Sequence, residues 1–294
     1  MRLQLWLLKV LLTVVETVDG LGDETCGMQA VNQMVEAGVF EQWFAAHREK
    51  ASLTILLANP QATRRRCRFI DENLNRLFLN EEVNKASEPG DDECYEKNLI
   101  KLVADEIDRC DVYLDLHSTS APSPPFALAT GPCSSVMSKL PVRFILHGIL
   151  DQLQGTSLHW SGRNPARQGA VVECGQHSSS EAIQVAEESI RVWLGMAKSI
   201  TTPERKPHRL SCVHRVPLRA GFQWADVQKP AQAFDWIPFD TLLGSDDEVG
   251  DIRCPFQPGA YVIMPTAQYI IGEEVCFWGV DYDDDEKHSI LGTT

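Results

Sequence analysis

The chain has 294 residues, 44% of them hydrophobic and 23% charged, which places it with ordinary folded globular proteins and argues against extended disorder. A formal net charge of -14 argues against nucleic acid or an anionic membrane as partner, since both need a broad positive field. Nine scattered cysteines, odd in number and without a C-x-x-C pair, read as reduced thiols of a cytoplasmic protein, neither a disulfide framework nor a structural zinc site.

In chain order, Met1 to Val18 is an apolar run interrupted by Lys9 and too short to span a bilayer, so a buried strand is expected there. A glycine-rich turn, Asp19 to Gly27, places Glu24 at the start of a helix that carries Met28, Val31, Met34 and Val35 on one face and stops near Gly38. Phe40, Trp43 and Phe44 predict a further helical turn, and Leu53 to Ala58 a short strand ended by Asn59-Pro60.

The stretch from Arg68 to Phe78 has neither helical nor strand period, yet it sets Arg68, Asn75 and Arg76 among the apolar residues Phe69, Ile70, Leu74, Leu77 and Phe78. Such a loop, pinned by its apolar side chains, suits a carboxylate receptor: a guanidinium meets a carboxylate with two parallel hydrogen bonds, and an amide adds a donor. A solvated basic surface loop beside Arg64-Arg65-Arg66 is the plainer alternative.

An exposed turn at Pro89-Gly90-Asp91-Asp92 precedes an amphipathic helix from Tyr95 to Cys110 with Leu99, Leu102, Val103 and Ile107 at helical spacing. It leads into a strand, Asp111 to His117, whose polar C-terminal end is where α/β sheets bind ligands. Ser118 to Pro125 is a loop suited to bordering a site, and Val142 to Leu153 is a buried element of undecided type. Ala170 to Glu173 is a second strand ending in an acid. Ser178 and Glu181 resemble a capping box for the helix carrying Ile183, Ala186, Ile190 and Trp193. Thr201 to His208 reads as a linker, after which short apolar runs broken by Gly and Pro, such as Arg219 to Phe222 and Pro258 to Met264, favour a small β domain. The acidic run from Asp281 to Glu286 reads as a solvated tail. This divides the chain into residues 1–200 and 201–294.

Glu24, the Arg68 to Arg76 loop, His117 and Glu173 thus converge on one sheet edge. A glutamate and a histidine can ligate zinc, a second glutamate can deprotonate a water, and Asp115 can orient the His117 ring from two positions earlier on the strand.

In order and spacing, Gly22 to Gly27, Arg68 to Arg76, Asp115-Leu116-His117 and Val172 to Gly175 resemble the aspartoacylase and succinylglutamate desuccinylase family, relatives of the zinc carboxypeptidases. The resemblance implies an α/β fold, a zinc-carboxypeptidase-like mixed sheet flanked by helices with a small C-terminal β domain, and a zinc-dependent amidohydrolase acting on a small anionic N-acyl amino acid such as N-acetylaspartate or N-succinylglutamate. It implies Glu24 and His117 as zinc ligands, Glu173 as general base and Arg68 as the group that stabilises the oxyanion. Asn75 and Arg76 would hold one substrate carboxylate, Arg163 a second, and Tyr269 would contact substrate from the C-terminal region.

One position departs from the family pattern: Leu21 stands where a third ligand, a histidine, is expected. Three explanations stay open: a metal-free binding protein of the same fold, replacement by Asp19 or Asp23, or an imperfect N-terminal reading of the gene. A carboxypeptidase-like peptidase is a further alternative, and oligomeric state is open.

Overall fold

The computed structural model describes residues 8–14, 25–47, 51–65, 67–85, 94–130, 136–177, 179–196, 207–266, 269 and 271–282, with Leu8–Val14 and Lys85 traced by backbone alone. The strands are β1 (Leu8–Val14), β2 (Ala51–Leu57), β3 (Val112–Thr119), β4 (Phe126–Ala129), β5 (Phe144–His147), β6 (Gln168–Gln176), β7 (His208–Pro217), β8 (Gln223–Trp224), β9 (Trp236–Pro238), β10 (Leu242–Asp246), β11 (Gly250–Arg253), β12 (Gly259–Ile263) and β13 (Glu274–Asp281). The helices are α1 (Cys26–Glu36), α2 (Val39–His47), α3 (Pro60–Arg65), α4 (Asn80–Lys85), α5 (Tyr95–Arg109), α6 (Ile149–Gln152), α7 (Ser157–Gly162) and α8 (Ser180–Trp193).

Ten strands form one mixed sheet in the order β2-β1-β3-β6-β4-β5-β7-β13-β12-β9. The strand expected near the N-terminus is β1, paired in parallel with β2 on one side and β3 on the other. The β3–β6 pairing is parallel, whereas β4 runs antiparallel to β6. Among the described residues the region after residue 200 is all-β, and its strand β7 pairs in parallel with β5, so β7, β13, β12 and β9 extend the first sheet. A separate three-stranded sheet, β11-β10-β8, lies beyond them.

Helices cover both faces of the central strands, as buried parallel strands require. On one face Leu114, Leu116 and Val172 pack with Ala30 and Met34 of α1, Trp43 of α2 and Ile190 of α8. On the other, Tyr113 packs with Ile100, Val103 and Ile107 of α5 and with Leu74, Leu77 and Phe78 of the arginine loop. Helix α1 ends at Gly38, whose φ of 67° is a conformation that glycine adopts without a Cβ clash. The cap of α8 is Ser179, whose hydroxyl accepts the Glu181 N–H at 3.2 Å, one residue later than expected; Ser178 lies outside the described residues. The undecided segment is a strand, β5, followed by the short α6. Arg219 to Phe222 forms a turn. Among the described residues, no helix is long and apolar enough to cross a membrane.

Candidate active site

Alternation along β3 sends Tyr113, Asp115 and His117 to the face opposite Leu114 and Leu116. The side chains two apart therefore meet. Asp115 Oδ2 accepts the Tyr113 hydroxyl at 2.8 Å and the Ser157 hydroxyl, from the first turn of α7, at 2.7 Å. The same oxygen lies 3.2 Å from His117 Nε2. A carboxylate beside one ring nitrogen is the arrangement that orients a histidine so that its other nitrogen can face a metal. Parallel pairing of β3 with β6 puts Glu173 directly opposite His117 in register. Both side chains are buried.

The arginine loop is irregular but tightly held. Glu96, in the first turn of α5 and fully buried, accepts the backbone N–H groups of Ile70 at 2.6 Å, Asp71 at 3.0 Å and Glu72 at 3.2 Å, and the Asn59 amide at 3.0 Å. Burial alone would push the Glu96 carboxyl up, but these donors together hold it below its usual range. Asp71 returns the contact by accepting the Tyr95 N–H at 2.7 Å. Sequence reasoning did not find Glu96, because an acid in the first turn of a helix ordinarily serves the helix dipole.

On its other side the loop is tied to the segment before α7. Phe78 N–H donates to the Gly155 carbonyl at 3.0 Å, and the Ser157 N–H donates to Asn75 Oδ1 at 2.8 Å. Since a backbone N–H needs an acceptor, that bond turns the Asn75 oxygen toward α7 and leaves its NH₂ end as the donor for a ligand. Leu74, Leu77 and Phe78 are buried anchors, whereas Phe69 is exposed.

These elements enclose a cavity of about 200 Å³ lined by Arg68, Asn75, Arg76, His117 and Glu173 together. Its lining includes the apolar residues Phe126, Leu128, Ile149, Leu158, Val171 and Phe277. Two acids, Glu274 at the start of β13 and Glu273 just before it, complete the wall beside the arginines. Burial lowers the Arg76 pKa, an effect opposed by Glu274, and its Nη1 donates to the Asn75 carbonyl at 3.0 Å.

Two expected substrate contacts do not line this cavity. Arg163, at the end of α7, is exposed, with its guanidinium 3.9 Å above the Trp160 ring. Tyr269 is 61% exposed and faces Phe222 at a ring separation of 6.4 Å. Glu24, Leu21, Asp19 and Asp23 lie outside the described residues.

The family model described as the Succinylglutamate desuccinylase/Aspartoacylase catalytic domain matches residues 21–191, more than half of the chain. The chain belongs to this family. Succinylglutamate desuccinylase of Vibrio cholerae serotype O1 (strain ATCC 39541 / Classical Ogawa 395 / O395) is 28% identical over 287 residues, covering 90% of this chain and 80% of that protein. A protein named "Probable aspartoacylase" from Synechococcus sp. (strain CC9605) is 28% identical over 159 residues, 51% of this chain, and the match spans only half of that relative's length. Among solved structures, a succinylglutamate desuccinylase from Vibrio parahaemolyticus superposes with a TM-score of 0.69 at 17% identity, covering 96% of this chain and 84% of that one. Murine aminoacylase 3 superposes with a TM-score of 0.63 at 16% identity, covering 93% and 95%. These likenesses show that the desuccinylase/aspartoacylase chain has the family's zinc-carboxypeptidase-like fold.

Two places in the family member invite a metal. At the cavity, His117 backed by Asp115 has the donor chemistry of a zinc ligand. Asp71, Cys94 and Glu96 also bring ligand atoms within 4.8 Å of one another. There the fit fails, because the Glu96 oxygens already accept four N–H donors and Asp71 Oδ2 accepts a fifth; N–H groups aimed at a site repel a cation.

Proposed function

We propose that the chain hydrolyses the amide bond of an N-acyl amino acid at a zinc site. The observation that carries this reading is the in-register pairing of His117 with Glu173 in a cavity shared with Arg68, Asn75 and Arg76. His117 and Glu24 would hold the ion, whose chemistry is to lower the pKa of a water and polarise the acyl carbonyl. Glu173 then takes a proton from the attacking water and returns it to the amine nitrogen as the C–N bond breaks, releasing a carboxylic acid and the free amino acid. Arg68 donates to the carbonyl oxygen as negative charge develops on it. The Asn75 NH₂ and the Arg76 guanidinium hold the amino acid's carboxylate and align the amide for attack. Residues 1–200 supply this machinery, and residues 201–294 close the cavity through Glu273, Glu274 and Phe277. Neither Arg163 nor Tyr269 enters this scheme.

A second reading is favoured by Leu21, which stands where the family has a histidine ligand: a protein that binds the same carboxylate ligands without metal. Metal analysis combined with amino-acid release from N-acetylaspartate, N-succinylglutamate and neutral N-acyl amino acids separates the two. Near-stoichiometric zinc with turnover supports the hydrolase. Less than about a tenth of an equivalent, with no turnover after zinc is added, overturns it. If Leu21→His raises zinc occupancy and turnover together, the missing ligand is the limiting defect.

A further inference from the structure

Glu273 and Glu274 face the two arginines that the reaction would use. Glu273 Oε1 lies 4.0 Å from Arg68 Nη2, and Glu274 Oε2 lies 3.9 Å from Arg76 Nη2. Glu274 is held from behind by Arg215 of β7, whose Nε is 3.2 Å from Glu274 Oε1 and whose Nη2 donates to the Gly272 carbonyl at 2.8 Å. Its side chain is 12% exposed, so it is a fixed part of the wall.

The charged groups of the described lining are therefore Arg68 and Arg76 against Glu173, Glu273 and Glu274. Separations near 4 Å are within coulombic reach but outside hydrogen-bond contact, so neither glutamate occupies the hydrogen-bonding place on its arginine. One incoming carboxylate can take that place on Arg76 and Asn75. A second would lie against Glu273 and Glu274 with no further cation in the described lining, because Arg163 is turned out onto Trp160. An ionised group beside like charges, without a partner, is strongly disfavoured. The apolar part of the lining, with Phe126, Leu128, Ile149, Val171 and Phe277, instead suits uncharged groups.

We infer that Glu273 and Glu274 set the substrate class: the cavity takes an N-acyl amino acid with a single carboxylate and an uncharged side chain, and rejects a second carboxylate. This rests on the reading of the cavity as an N-acyl amino acid site.

N-acetylglutamine and N-acetylglutamate have nearly the same shape and differ by one charge, so they isolate the effect. Their dissociation constants are to be measured by calorimetry at neutral pH on the full chain after chelation, so that hydrolysis does not consume the ligand, and on the Glu273→Gln and Glu274→Gln chains. N-acetylglutamine is expected to bind at least about tenfold tighter to the unaltered chain, with Glu273→Gln narrowing the gap mainly by improving N-acetylglutamate. Equal affinities, tighter binding of N-acetylglutamate, or a gap that neither substitution changes would overturn the inference. Hydrolysis of the same pair after zinc is restored is read separately. If the binding preference persists and neither compound is turned over, the hydrolase reading falls and the selectivity stands. If neither compound binds, both fall.

Discussion

At the scale of single residues, the site depends on carboxylates placed for three different tasks. Asp115 gathers two hydroxyls and the His117 ring on one oxygen, Glu173 pairs in register with His117, and Glu96 gathers the backbone of the arginine loop. In the proposed mechanism, replacing Glu173 by Gln removes the proton acceptor but keeps the shape, so turnover should fall by about 10²–10⁴ while ligand affinity stays within severalfold. Retained turnover would take Glu173 out of the mechanism. Glu96→Gln puts an NH₂ group against N–H donors and should cost about 1–3 kcal/mol of stability. The Glu96 carboxyl is held low in the folded chain, so its contribution is present above the ordinary carboxylate pKa and is lost as pH falls through the lowered folded value. Thermal melts from neutral to acid pH should therefore show a shallower acid limb for Glu96→Gln than for the unaltered chain. The sequence singled out His117 and Glu173 because each closes an apolar run within a spaced motif, although β3 and β6 themselves run on to Thr119 and Gln176. Glu96 was not singled out, because its donors at residues 70–72 come from far along the chain and nothing local marks them.

At the scale of elements, the arginine loop is stitched to α5 and to the entry of α7. Gly155 makes that stitch possible: its φ is 81°, and a Cβ there would lie 2.6 Å from the Arg76 carbonyl oxygen. Gly155→Ala should thus displace Arg76, lowering stability by at least about 1–2 kcal/mol and raising KM more than it lowers kcat. Steady-state kinetics beside thermal melts check this, and an unchanged KM would show that the loop does not depend on the contact. The segment from Val142 to Leu153 was undecidable from its pattern because all four residues of β5 are buried, which erases the alternation that marks a half-exposed strand. Gly148, at φ 76°, ends that strand and begins α6. Arg163 illustrates the opposite limit. Its spacing before Glu173 was readable, but the turn at the end of α7 determines where its side chain goes, and it goes onto Trp160.

At the scale of the whole molecule, the described cysteines form no disulfide, and Cys133 lies outside the described residues. Cys26, Cys110, Cys174, Cys212, Cys254 and Cys276 are buried, with burial pushing the thiol pKa of Cys110 up to about 11 and that of Cys212 to about 12. A thiol reagent at neutral pH should leave these buried thiols unmodified until denaturant is added, and mass spectrometry of labelled peptides checks this. Rapid labelling of Cys212 in the native chain would mean that the β5–β7 junction opens. That junction makes the C-terminal strands part of the same sheet, and so brings residues 273 and 274 to arginines some two hundred positions earlier. Strand ends, loop chemistry and family membership were written into short stretches of chain, where side-chain type and period act locally. The charge balance of the cavity was not, because it depends on which distant acids and bases the sheet order brings within coulombic reach.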